Sequence, residues 1–232
     1  MKSLLLTLLL GFAFPFSASS QSYFSGPIKE DLLKGRVKQV EEFMARFNYE
    51  EDWEGKKVAQ RADTILRSKY LHTLFDYSRF RQKNGKLTPL AERFIWDVVR
   101  HHRLIHYADT SWRARVKCKA LLDGKATKLT LYLHTQQVAP YEYRWLVKKV
   151  ESPTLTNIPE TIMKLSLSPV EHEIGFTGLL SSSTAKVKFT KIEDVSYQFF
   201  SIPGYAFTIE RLERKNSYNT GWLITSLRDL GK

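Results

Sequence analysis

The sequence predicts an α+β fold, with N-terminal helices packed on a curved, cone-like antiparallel sheet. Three observations carry this expectation. Apolar residues recur at three- and four-residue intervals through the first hundred positions. From Trp112 the period switches to two. Turn signals such as Asp123-Gly124 and the loop Lys215–Gly221 then separate alternating runs up to the C-terminus. Hydrophobic residues are 43% and aromatic residues 13% of the 232, which excludes a wholly disordered chain; 11 Gly and 8 Pro exclude a collagen-like or Pro-rich one.

Residues 1–20 read as a secretory leader. Lys2 supplies the positive start, Leu4–Phe16 is an apolar run, and small residues stand at Ala18 and Ser20. That run is shorter than the roughly 20 residues that span a bilayer. No later run is longer, so no membrane span is expected, and residues 21–232 read as one exported α+β domain, periplasmic or secreted. The single cysteine, Cys118, excludes an intramolecular disulfide. Such a domain must hold itself together through its core.

Pro27 suits a first helical position, and Leu32, Leu33, Val37, Val40, Phe43, Met44 and Phe47 mark one apolar face of a helix over 28–47. An acidic connection follows, with Glu50, Glu51, Asp52 and Glu54. A second helix is expected over 58–78, burying Ile65, Leu66, Leu71, Leu74 and Phe75. Thr88 caps a third and Pro89 opens it, because proline lacks only a donor that the first turn leaves unpaired anyway. Phe94, Ile95, Val98 and Val99 are its buried face.

In the first strand Trp112, Ala114, Val116, Cys118 and Ala120 point one way and Arg113, Arg115, Lys117 and Lys119 the other. Cys118 therefore reads as a buried small hydrophobe. Leu129, Leu131 and Leu133 continue the pattern after the turn, and Tyr141, Tyr143, Trp145 and Val147 form a third strand. Residues 152–169, with three prolines, read as an excursion holding a short strand near Met163–Leu167, and 171–182 as a short helix. Strands at 185–189 and 195–200 and a hairpin of 205–213 with 222–228 close the chain.

Helices first, then a bowed antiparallel sheet whose last hairpin ends the chain, resembles the nuclear transport factor 2-like superfamily over about residues 28–230. A leader with this layout is also similar to exported envelope proteins of bacteria. The superfamily resemblance implies a pocket inside the cone. It admits both enzymes with a buried acid–base pair and non-catalytic binding or assembly modules, and it implies a homodimer through the open sheet face.

No G-x-S-x-G, H-E-x-x-H, phosphate loop or dinucleotide fingerprint is present, and no cofactor or metal site is expected. The densest polar cluster, His101 to Asp109, offers His102, His106 and Asp109 as acid–base candidates. Glu171-His172-Glu173 reads as a surface cluster. The basic strand is more informative. Arg113, Arg115, Lys117 and Lys119 repeat at about 6.8 Å on one sheet face. Residues 100–119 carry six Lys or Arg against Asp109, and residues 61–86 carry seven against Asp63 and Asp76. If the two segments adjoin, they form a positive surface for an anionic glycan, a lipid phosphate or an acidic protein. Export argues against nucleic acid as the routine partner. The expected function is a non-catalytic binding module, with an acid–base enzyme as the alternative.

Overall fold

The computed structural model describes residues 37–59, 63–140, 142–155 and 157–231; the leader expected at 1–20 and positions 28–36 of the first expected helix lie outside them. Among the described residues four helices come first: α1 (Val40–Phe47), α2 (Thr64–Thr73), the single turn α3 (Tyr77–Phe80) and α4 (Pro89–Arg100). The meander β1 (Arg113–Leu122), β2 (Lys125–Ala139) and β3 (Glu142–Glu151) follows. An excursion then carries α5 (Glu160–Met163), β4 (Ser166–Leu167), a 3₁₀ turn at Pro169–His172 and α6 (Gly178–Ser181). The chain closes with β5 (Val187–Phe199), β6 (Tyr205–Leu212) and β7 (Gly221–Asp229). The seven strands form one antiparallel sheet in the order β4-β3-β2-β1-β5-β6-β7, so the fold is mixed α+β. Among the described residues, no helix is long and apolar enough to cross a membrane.

Local chemistry explains most boundaries. The Thr88 hydroxyl accepts from the Ala91 amide, and Pro89 starts α4. The helix ends where His102 takes φ +49°, the Arg103 amide bonding back to Val98 O and the His102 amide to Val99 O. That double closure is a left-handed C-terminal cap. Asp123 and Gly124, with φ of +47° and +78°, make the two-residue turn between β1 and β2, a geometry matched to the twist of the strands it joins.

Long-range contacts override the helical pattern twice. Val37 is not helical, because it bridges to Gly221, and α1 starts at Val40. The second helix stops at Thr73, because Phe75 bridges to Ile224 and the buried Asp76 side chain caps α3. Asp76 accepts from the Ser78 amide and hydroxyl and from Arg214, while Asn219 donates to Phe75 O. Burial alone would raise the Asp76 carboxyl, but these donors outweigh it and hold it below the usual carboxylate range. Ile65 and Leu66, expected on the buried stripe, are exposed; Leu71, Leu74 and Phe75 are buried as expected.

Aromatic rings join the elements. Phe47 of α1 stacks on Phe207 of β6 at 5.7 Å, Phe43 on Phe199 of β5 at 6.3 Å, and Phe94 of α4 meets Tyr205 edge-on at 5.2 Å. Trp112 stacks on Phe199 at 5.5 Å and meets Trp145 of β3 edge-on at 4.8 Å. Rings of this size bury the most apolar area per residue and dominate core energetics. Cys118 is fully buried, which pushes its thiol up to about 12.

Three further expectations are corrected. The two strands at 185–189 and 195–200 are one strand, β5, whose pairing with β1 slips at Lys117/Cys118 and Lys119/Ala120. Each slip inserts a residue, and this erased the alternation across 190–194. In the 152–182 excursion the strand shrinks to Ser166–Leu167 behind the helical turn Glu160–Met163, and the expected helix splits into two turns. Glu171 and His172 are buried rather than at the surface, at 8% and 5% exposure. The Glu171 carboxylate accepts from the Gly178 amide, and Tyr197 donates its hydroxyl proton to His172 O.

Candidate functional site

Strand parity builds the site. In β1 the residues Ala114, Val116, Cys118 and Ala120 enter the core, which leaves Arg113, Arg115, Lys117 and Lys119 on the solvent-facing side. Antiparallel register sets Arg113 beside His134 and Arg115 beside Tyr132 on β2, and the same two residues beside Gln198 and Ser196 on β5. On β3, Tyr132 pairs with Lys149 and Leu133 with Val147, so Lys148 is an extra bulge residue. The bulge brings both lysines to one face, where strict alternation would have separated them.

These residues line a trough of about 570 Å³ across β3, β2, β1, β5 and β6. Its cations are Arg113, Arg115, Lys148 and Lys149, its neutral donors include Tyr132, Ser196, Gln198 and Thr208, and among the described residues no carboxylate lines it. Carboxylates stand beside it and hold two of the four. Arg115 donates to Ser196 Oγ at 3.1 Å and to Glu210 at 3.3 Å, and Lys149 lies 2.6 Å from Glu151. The Arg113 guanidinium instead covers the Phe200 ring at 4.9 Å. Among the described residues neither Arg113 nor Lys148 has a carboxylate partner. Burial first, and the Lys148 and Arg113 charges next, push His134 down, which favours the neutral ring over the imidazolium.

Lys117 and Lys119 share the face but not the trough. They pair across the strand with Asp194 at 3.1 Å and Glu193 at 3.2 Å. The two basic segments do meet: Glu210 lies 3.4 Å from Arg79 and 3.3 Å from Arg115. Sequence reasoning missed Lys148 and Lys149. The available signal was Val147-Lys148-Lys149-Val150, two polar residues between two apolar ones, which breaks the period of two as a bulge does.

The acid–base candidates fall elsewhere. His102 is exposed and serves as the left-handed cap of α4. His106 is exposed in a turn where the Asp109 amide bonds to its carbonyl. Asp109 accepts from the Ser111 amide at 2.8 Å, closing the turn that follows. The stretch is fixed by Asn48, which exchanges two hydrogen bonds with Ile105, and by Arg67, which donates to Arg103 O. Among the described residues, no group of three His, Cys, Asp or Glu is placed to hold a metal ion. No family model, no curated protein and no solved structure matches the chain.

Proposed function

We propose that this chain is a non-catalytic binding module whose solvent-facing sheet trough takes an acidic partner. One observation carries the reading: among the described residues, four cations line a trough that no carboxylate lines, and two of them have no counter-charge. Like charges held together repel, and an anion relieves that repulsion while gaining directed donors. Arg113 offers a planar fork suited to phosphate, sulfate or carboxylate, and Lys148 a point charge. The neighbouring hydroxyl and amide groups of Tyr132, Thr208 and Gln198 suit the oxygens of a sugar or phosphate ester. An anionic glycan or lipid phosphate therefore fits the trough better than an acidic protein does.

The wider reading belongs to the same proposal. Register slips in β1–β5, β2–β3 and β6–β7 bend strands, and the rings of α1 and α4 against β5 and β6 support a cone-like, nuclear transport factor 2-like arrangement. The leader-like residues 1–20 support export to an envelope compartment. Pairing two copies through the trough face would oppose Arg113 and Lys148 to like charges, which argues against that face as a dimer contact. An acid–base enzyme built on His102, His106 and Asp109 has less support, since two are exposed and all three serve turns or caps.

The test is retention on a sulfated-polysaccharide matrix. A doubly substituted Arg113→Glu, Lys148→Glu protein should elute at clearly lower salt than a control carrying Lys83→Glu and Lys86→Glu, two exposed turn residues with the same change in net charge. Equal elution of the two, with both folded by circular dichroism, overturns the proposal.

A further inference from the structure

A second cavity, of about 310 Å³, lies on the core side of the sheet between α1, the coil before β1 and the 3₁₀ turn at Pro169–His172. Its chemistry is the reverse of the trough's. Tyr107, Trp112 and Tyr143 supply aromatic wall, Glu41 and Glu173 supply carboxylates, and among the described residues neither Lys nor Arg lines it, although the chain carries a net charge of +12. Three buried polar atoms in lining residues have no hydrogen-bond partner among the described residues: Tyr107 Oη, Thr135 Oγ1 and His172 Nε2.

The histidine defines what is missing. His172 Nδ1 lies 2.6 Å from Pro169 O, and a carbonyl only accepts, so Nδ1 carries the proton. Burial pushes the ring's protonation down, which leaves it neutral with a lone pair on Nε2. Its carboxylate neighbour, Glu173 Oε1, lies 3.7 Å away and is itself an acceptor. Two acceptors that close together lack a donor between them. The charges of Glu41 and Glu173 also reach Tyr107, whose hydroxyl is pushed up first by burial and then by these two carboxylates. Aromatic faces and carboxylates around an unsatisfied acceptor favour a positively charged N–H donor on an apolar body.

We propose that this cavity is a binding site for a small organic ammonium ion. Its N–H groups bridge His172 Nε2 and the Glu173 carboxylate, and its apolar part lies against Tyr107, Tyr143 and Val170. Glu173 is exposed, so its side chain is the one that turns aside to admit the ligand to Nε2. The volume is at the small end for ligand pockets, which restricts the guest to a single ring or a short branched chain.

The test compares three probes of one shape, benzylammonium, benzyl alcohol and benzoate, by calorimetry at pH 7.5 with the full chain. Benzylammonium should bind at least about tenfold more tightly than benzyl alcohol, with benzoate weaker still. Glu173→Gln and Glu41→Gln, both at exposed positions, should each weaken benzylammonium severalfold and leave the alcohol unchanged. Lys83→Glu, in an exposed turn that does not line the cavity, should change neither. No benzylammonium binding up to about 10 mM overturns the proposal, as does benzoate binding equally well or a Glu173→Gln protein of unchanged affinity.

Discussion

Gly221→Ala tests how the N-terminal segment is tied to the last strand. Gly221 has φ +93° and forms a bridge with Val37, and Trp222 N donates to Val37 O at 2.9 Å. A Cβ at Gly221 would press on the Val37 carbonyl oxygen and come within 2.9 Å of Val37 N and 2.8 Å of its carbonyl carbon. These are backbone atoms, so no side-chain rotation relieves the contact. The positive φ alone costs about 1–2 kcal/mol for a residue with a Cβ. Displacing Val37 also loses one hydrogen bond, about 1 kcal/mol, and part of the burial of a side chain only 2% exposed, about another 1 kcal/mol. Reduced freedom of the unfolded chain returns about 0.5 kcal/mol. The net loss is about 3 kcal/mol, or about 6–12 °C in Tm for a domain of this size. Gly55→Ala is the control: φ is +78° but nothing lies within 4 Å, so only the dihedral cost of about 1 kcal/mol applies. Thermal melts followed by circular dichroism decide it. If the two variants melt within a degree or two of each other, the close approach of Val37 does not stabilise the fold.

Asp76→Ala strips the acceptor from Ser78 and Arg214 at a side chain 1% exposed and should cost about 2–4 kcal/mol in urea unfolding, whereas Arg81→Ala, at the exposed C-terminal end of α3, should cost under about 1 kcal/mol. Acidification should destabilise the protein in a window set by histidine. The folded-state pKa values of His172 and His134 lie below the ordinary 6.5, so the unfolded chain binds more protons there; stability is full above about 6.5 and is lost as pH falls towards the folded values. Tm measured from pH 8 to 5 should therefore fall, and His172→Gln should flatten part of the slope; a flat wild-type profile contradicts the neutral burial of these rings. Cys118 should resist an aromatic disulfide reagent at pH 8 until denaturant is added, because the thiol is buried and pushed up to about 12; rapid labelling of the folded protein would show that β1 is not packed as described.

Features decided within a few residues were legible in the sequence. Thr88-Pro89 starts α4 and Asp123-Gly124 turns β1 into β2, because each specifies its own hydrogen bond or dihedral angles. The strict alternation from Ala114 to Ala120 fixed which face of β1 is basic. Features decided by distant partners were not legible. Val37 and Phe75 fit a helical stripe, and partners far along the chain, Gly221 and Trp222 for one and Ile224 and Asn219 for the other, hold them extended. Bulges hid both the continuity of β5 and the joint presentation of Lys148 and Lys149. His172 looks solvated between two glutamates. It is buried because Trp145 donates to Pro169 O and Tyr197 to His172 O, which fold that turn onto the aromatic core.

The account stands or falls on where an anion docks. Titrating a short sulfated oligosaccharide into isotope-labelled protein and following amide shifts gives the answer residue by residue. The account predicts that the largest shifts fall on Arg113, Tyr132, His134, Lys148 and Ser196, with Lys117 and Lys119 little affected because Asp194 and Glu193 already hold them. Shifts confined to α2 and α4, or none at concentrations that saturate the matrix, would contradict it.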